Sequence, residues 1–466
     1  GRALARWDAI DHGDALRRFA IPILALVAWY GSTYEYNYVL DRWHLVDRLL
    51  VVALAIGATA RPIALVPLVI QARLVAGQFL VPLGVSAGYN IGDLLAIVLL
   101  VLAAGFIVAA TTSIGRWSIG SAVVPVVAAA VAAHFFVPGV SKLRMGWLDG
   151  PGVHHFALNA HAAGWLGGGD GSWAGRLAGA LESLRWPILV VTLVLETGAV
   201  VAITRRWLLC GWLVGWILLH GAIFAASGYW LFEWVAVELG LLVLLIQPGA
   251  ARWLEANHRP ARAAVAALLV LGGTVLFHPP RLAWFDANVA YGFEVDVVDG
   301  DGRRTHVPLD ELEPLQQNLS LTFAWFGPTA PLVGGYGAVL TLDGIDRLAA
   351  VTDFDELRRL EGDQPPTTAE RQASSELLMT RWAEHVARGP RSTHSPISPP
   401  SRFWTNRPPP RFDGADPPFT VEVLLVRSLA DGPDQQLERQ LALRMEVDEA
   451  GQARVVDRLG DDPRSG

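Results

Sequence analysis

Val123-Val124-Pro125-Val126-Val127-Ala128-Ala129-Ala130-Val131-Ala132-Ala133-His134-Phe135-Phe136-Val137-Pro138-Gly139-Val140-Ser141-Lys142 decides how this chain is read. As a helix, an apolar run of this length reaches across the ~30 Å hydrocarbon core of a bilayer. It closes on Lys142, the one lysine among 37 basic residues. Arginine replaces lysine as a surface charge but not as a base. Guanidinium keeps its proton, whereas an ammonium moved into apolar surroundings can give it up. Lys142 therefore has two readings: a general base at a membrane face, or an anchor whose head reaches out to the interface. An apolar wall disfavours its charged form, whereas a close carboxylate such as Glu196, Glu233 or Asp149 holds it charged in an ordinary buried ion pair.

Apolar runs recur on both sides of this stretch. Residues 17–34, 45–60, 62–82, 92–112, 120–141, 186–203, 207–226, 229–247 and 262–278 predict an α-helical polytopic membrane bundle of about nine spans within residues 1–280. Arginines orient it. Arg2, Arg6, Arg17 and Arg18, then Arg61, Arg116, Arg205-Arg206, and Arg252, Arg259 and Arg262 fall on one side if every run spans. That places the N-terminus in the cytoplasm of a multi-pass cell-membrane protein, with Lys142 and the C-terminal half outside. No small-residue cleavage site follows Arg17-Arg18, so a cleavable leader is not expected. Residues 143–185, with His154, His155, His161 and Gly167-Gly168-Gly169, are too polar to span and predict a loop or re-entrant element. Within them Trp173 to Leu184 is amphipathic. The three histidines have no acidic or cysteine companion, which favours a solvated loop over a metal site.

The chain changes character after Pro279. Residues 1–280 carry 18 basic and 14 acidic side chains; residues 281–466 carry 19 and 30. A membrane half is thus joined to an acidic α+β domain rich in antiparallel strands, which argues against a nucleic-acid partner. Alternation from Phe293 to Val297, the turn Asp299-Gly300-Asp301-Gly302 and the return Arg303 to Leu309 predict a hairpin. Residues 366–388 predict a helix capped by Thr367 or Thr368. Residues 389–418 form a proline-rich loop. Strands are expected at 419–427 and 440–448, then a polar tail. Cys210, the single cysteine, excludes an intrachain disulfide.

Polar side chains inside spans are costly and face a bundle interior or a cavity. Here they are Gln71, Arg73 and Gln78, Asn90 and Asp93, His134, Glu196, His220, and Glu233 and Glu238. Arg73 and Glu196 are candidates for an inter-helix ion pair, and His220 for a hydrogen bond to a neighbouring helix.

Pro138-Gly139-Val140-Ser141-Lys142-Leu143, followed after three residues by Trp147-Leu148-Asp149-Gly150, resembles the lysine signature of vitamin K-dependent γ-carboxylase and its bacterial HTTM (horizontally transferred transmembrane domain) relatives. The order of further motifs resembles the same family: Ile56-Gly57-Ala58-Thr59-Ala60-Arg61, Tyr89-Asn90-Ile91-Gly92-Asp93-Leu94, and Glu196 followed by Arg205-Arg206 and His220. The likeness covers about residues 45–250. It departs at the fourth span, where those carboxylases carry a histidine and this sequence has none between residues 83 and 98.

The resemblance implies a carboxylase-like enzyme that uses a reduced quinone (a vitamin K-like hydroquinone) and no metal. Lys142 would be the catalytic base, and His220 would hydrogen-bond the quinone oxygen or the developing anion. His134, Trp147, Asn90, Glu196 and Arg73 are the candidates to bind substrate. Such chemistry needs a dry site, so that the strong base is not quenched by water. The implied partners are the lipid bilayer, a lipophilic small molecule and a peptide or protein substrate outside the cytoplasm. The alternative is a non-catalytic HTTM-type scaffold or lipid- and quinone-binding protein whose soluble domain binds a partner.

Overall fold

A computed structural model describes residues 13–33, 45–80, 97–104, 107, 119–149, 153–164, 166, 172–246, 260–276, 285–308, 312, 315, 319, 322, 324–334, 337–339, 341–388, 414–431 and 434–459. The N-terminal half is helical. Its helices are α1 (Gly13–Thr33), α2 (Leu45–Ala60), α3 (Leu65–Leu80), α4 (Ile119–Arg144), α5 (His155–Ala162), α6 (Ser172–Ser183), α7 (Arg185–Thr197), α8 (Ala199–Ala202), α9 (Arg206–Ser227), α10 (Phe232–Ile246), α11 (Pro260–Leu271) and α12 (Gly273–Leu276).

Two of these are long and apolar enough to cross a membrane, α4 over Val123–Arg144 and α9. The count rises to three if α6 and α7, bent by 71° at Leu184, are taken as one span. The expectation of about nine spans is corrected accordingly, and length is the reason. Helices α2 and α3 have 16 residues each, α10 has 15 and α7 has 13. At 1.5 Å per residue even 16 residues reach only about 24 Å. Breaks at Leu184, Gly198 and Gly272 divide what reads in the sequence as continuous apolar runs. Most of the expected fourth span, 92–112, lies outside the described residues.

The deciding stretch is the bundle's central helix. Of its apolar window 78% is buried inside the protein, against 22% for α9. Apolar residues lie all round α4, so no polar face is left for water. It packs against α7, α8 and α11, while α10 packs against α1 and α9.

The C-terminal half is built on an antiparallel sheet of order β3-β2-β5-β6-β7: β2 (Val289–Asp299), β3 (Arg304–Val307), β5 (Phe419–Asp431), β6 (Asp434–Val447) and β7 (Ala453–Arg458). Short β1 (Phe285–Asp286) pairs with β4 (Ala338–Val339). Helices α13 (Leu342–Ala349), α14 (Phe354–Gly362) and α15 (Ala369–Ala387) complete it, with α15 packed against β6 and β7. The predicted hairpin is present, with Val295 opposite Val307. The predicted helix begins with the Thr368 side chain accepting from the Arg371 N–H. The last two expected strands are longer than anticipated and nearly continuous, and the expected polar tail contains β7. The greater part of the proline-rich loop, 389–413, lies outside the described residues.

The element between α4 and α7 joins the two halves. Helix α5 packs against β2 and β5. Gly292 makes that approach possible, since a Cβ there would sit 2.7 Å from the Ala162 carbonyl oxygen. Gln435 donates to the Leu158 carbonyl at 2.6 Å and to Ser428 Oγ at 2.8 Å, and His161 Nδ1 lies 3.1 Å from Gln435 Oε1. Asn159 donates to the Ala287 carbonyl at 3.2 Å. This corrects the solvated-loop reading of the three histidines: His155 is buried and His161 is held by the sheet. Among the described residues no group of three His, Cys, Asp or Glu side chains is placed to hold a metal ion.

Candidate active site

Lys142 lies in the last turn of α4, and its side chain turns inward. It is 5% exposed, and its Nζ donates to Glu196 Oε1 on α7 in a salt bridge. The sequence itself allows the two helices to meet. A Cβ at Gly139 would lie 2.7 Å from the Glu196 Cβ and 3.0 Å from the Thr197 nitrogen. Gly139 therefore lets α7 approach closely, one turn before Lys142. On the other side Lys142 Nζ lies 5.3 Å from the ring centroid of Trp147, which is buried. A cation over an indole face is held electrostatically even without a hydrogen bond.

A second pair lies on α9 and α10. His220 Nδ1 sits 3.2 Å from Glu238 Oε1 and 3.3 Å from Oε2, so the carboxylate straddles the ring nitrogen, and both side chains are buried. Aromatic rings tie this pair to α4. Phe135 stacks on Trp216 with centroids 4.3 Å apart and lies 5.4 Å from His220. Trp234 meets His134 at 5.2 Å, Phe135 at 5.6 Å and His220 at 5.6 Å, edge-on in each case. Trp216, one turn before His220, donates to the Leu195 carbonyl at 3.0 Å, next to Glu196. His220 lies within electrostatic reach of the Glu196 carboxylate.

Buried polar atoms of this cluster without a hydrogen-bond partner among the described residues include Glu196 Oε2, Glu238 Oε1 and the Trp234 indole nitrogen. The two carboxylate oxygens accept and the indole donates. A buried polar atom without a partner is costly, so such atoms mark where a ligand group or a water fits.

The structure thus gathers Lys142, Glu196 and Trp147 at one contact, and His134 and His220 around Trp234 and Phe135. His134 also places its Nδ1 2.7 Å from the Ala130 carbonyl in its own helix. Asn90 lies outside the described residues. Arg73 lies on α3, with its side chain outside the description; Glu196 pairs with Lys142. Sequence reading met Gly139 only as part of the lysine signature and not as a helix contact, and did not single out Phe135, Trp216 or Trp234, nor Glu238 as the partner of His220. A glycine one turn before a buried charge on an apolar helix is a signal of close helix approach.

No family model, no curated protein and no solved structure matches the chain. The likeness to the γ-carboxylase and HTTM group rests on its motifs alone.

Proposed function

We propose that this is a membrane enzyme of the γ-carboxylase and HTTM kind, in which the Lys142–Glu196 couple takes a proton from a lipophilic acid. The observation that carries the reading is the burial of the only lysine against a carboxylate whose second oxygen has no hydrogen-bond partner among the described residues. Within a low-dielectric site, a proton passed from Nζ to Glu196 leaves a neutral amine and a neutral acid, so no isolated charge is created. The free amine is then a base close to an aromatic wall.

A reduced quinone fits this donor set, because Glu196 Oε2 can accept from a hydroxyl, Trp234 can donate to an oxygen, and Phe135, Trp216 and Trp234 offer flat apolar faces. When bound, it would supply an acidic hydroxyl and reducing electrons. The chain's own part is to orient that hydroxyl, exclude water and hold the proton at Lys142 or Glu196. The oxygen and carboxylation chemistry, and a peptide substrate reached from the acidic domain, belong to the same proposal.

The test is turnover with a reduced quinone added to protein in lipid nanodiscs. Lys142→Arg, which keeps the charge but cannot act as a base, is expected to lower the rate by about 10²-fold or more. Unchanged turnover in a variant that retains the wild-type melting temperature would leave the scaffold reading. That second reading is favoured by the ion pair itself, since a buried Lys–Glu contact also serves to fix helix register.

If α4, the bent α6–α7 pair and α9 are three spans, Arg116 and Arg205-Arg206 fall on one side, which supports an orientation with the N-terminus inside and the β domain outside. A cysteine introduced at Asp301, in a Cys210→Ser background, is expected to react with an impermeant maleimide in intact cells. Labelling only after permeabilisation would reverse the orientation.

A further inference from the structure

A cleft of about 290 Å³ opens where the element after α4 meets the β domain. Its walls come from α5, the β1–β2 turn, α13 with the segment after it, and the end of the β5–β6 hairpin. We propose that this cleft binds a small organic cation, a primary ammonium on a short apolar body, with Asp431 as its counter-charge. The site uses none of the residues assigned to the proton chemistry of Lys142.

Strand pairing builds one wall. Leu429 on β5 lies opposite Gln436 on β6, and Asp431 follows two residues after Leu429. Residues directly opposite share a face of the sheet, and so do residues two apart on one strand. Leu429, Asp431 and Gln436 therefore face the cleft together. Ile345, Val351 and Leu429 are buried and supply an apolar surface, and His155, also buried, lines the α5 side. The remaining polar groups favour a donor as ligand. Asn288 donates its Nδ2 to the Val351 carbonyl at 3.3 Å, which leaves its Oδ1 to accept. Among the described residues no hydrogen bond engages the side chains of Thr352, Asp431 or Gln436. Carboxylate, amide and hydroxyl oxygens all accept, and an ammonium offers three donors. No arginine or lysine is among the described residues that line the cleft. The surrounding half, with 19 basic and 30 acidic side chains, adds a field that draws cations. The volume lies at the small end of the roughly 300–1,000 Å³ range of ligand pockets, which suits a small molecule rather than a chain segment.

The test is saturation-transfer NMR with benzylamine as probe and benzyl alcohol as its neutral counterpart, at neutral pH. The full chain is held in lipid nanodiscs, and the signal of empty nanodiscs is subtracted. Benzylamine is expected to bind saturably in the millimolar range, about fivefold or more tighter than the alcohol. Asp431→Asn is expected to weaken the amine to the level of the alcohol and to leave the alcohol unchanged. Ala349 is exposed on the α13 wall, so Ala349→Phe fills the cleft from the solvent side and is expected to remove the binding of both. The proposal is overturned if benzylamine does not bind saturably, if the amine and the alcohol bind equally well, or if Ala349→Phe binds the amine as the wild type does. That last result would place the amine elsewhere, in the helical bundle for instance. If Ala349→Phe does not fold, Asp431→Asn decides alone: amine binding as tight as in the wild type overturns the proposal, and a selective loss of amine binding supports it.

Discussion

Each half of this molecule buries an ion pair, and the two are built differently. In the β domain Arg427 is gripped from all sides. Its Nε lies 2.8 and 3.1 Å from the two oxygens of Glu361, its Nη2 lies 2.9 Å from Oε2, and its Nη1 reaches Gln440 at 2.7 Å. Tyr291 donates to the same Glu361 at 2.9 Å, and burial, reinforced by that carboxylate, pushes its phenol well above the usual range. In the helical half Lys142 has Glu196 and the face of Trp147, and one oxygen of Glu196 has no hydrogen-bond partner among the described residues. Guanidinium cannot give up its proton, so a saturated arginine network can only fix structure, here holding α14 on the sheet. A lysine facing a half-satisfied carboxylate retains both a mobile proton and an open acceptor. The contrast separates a pair that holds the fold from one that can do chemistry.

The largest effect expected from this contrast is in the saturated network. Arg427→Met strands the Glu361 carboxylate among buried neighbours and is expected to cost about 3–5 kcal/mol. Hydrogen exchange of β2 and β5 in the full chain measures it as lost protection. Lys142→Met is expected to cost less, because Glu196 can take up a proton and become neutral where it stands. If Lys142→Met destabilises the protein more than Arg427→Met, the division between fixing and working pairs fails.

A smaller effect sharpens the same contrast at Gly139. A methyl group there meets the Glu196 Cβ at 2.7 Å and the Thr197 backbone at 3.0 Å, and backbone cannot swing aside. Gly139→Ala is expected to cost about 1–3 kcal/mol by overpacking, and to part Lys142 from Glu196 as α7 moves away. Thermal melting reads the first effect. The second appears as faster reaction of the single lysine with a lipophilic amine reagent. A melting temperature unchanged from wild type would mean that α4 and α7 are not in this contact.

Local patterns were legible in the sequence, and partnerships between helices mostly were not. The hairpin at 293–309 followed from alternation and its Asp-Gly turn, and α15 from its threonine cap, because both signals lie within a few residues. The span count misled because hydropathy does not register a bend at Leu184 or a break at Gly272, where helical geometry ends while the apolar composition continues. β6 was read from residue 440 because Asp434 to Arg439 is polar, yet Arg439 is held by Glu294 across the sheet and Gln435 by α5. Lys142, Glu196 and His220 each stood out as charged or polar residues in apolar runs. Their partners were harder to see: no local pattern marks Trp216 and Trp234, and only three-dimensional packing brings them to Phe135.

The smallest predicted effect concerns a third kind of pair, at the solvent edge of the sheet. Asp296 on β2 accepts from Arg304 at 2.8 Å and lies 3.0 Å from His306 Nδ1, both on β3. Burial alone raises this carboxyl, but the hydrogen bonds from His306 and Arg304, and their charges, carry it below its usual 3.8. A carboxyl lowered in the folded state binds its proton less readily than in the unfolded chain. It therefore contributes stability above the unfolded value near 3.8, and that contribution is lost as pH falls through the lower, folded value. Arg304 is half exposed, so water screens the pair and the contribution should stay within about 1 kcal/mol. Asp296→Asn is expected to lower stability at neutral pH by that small amount and to flatten the acid limb below pH ~4. Chemical denaturation at a series of pH values, followed by Trp325 fluorescence with the other tryptophans replaced, compares the two curves. An acid limb equally steep in the variant would assign the pH dependence to other carboxylates of this acidic half, and the edge pair would then be a contact without energetic weight.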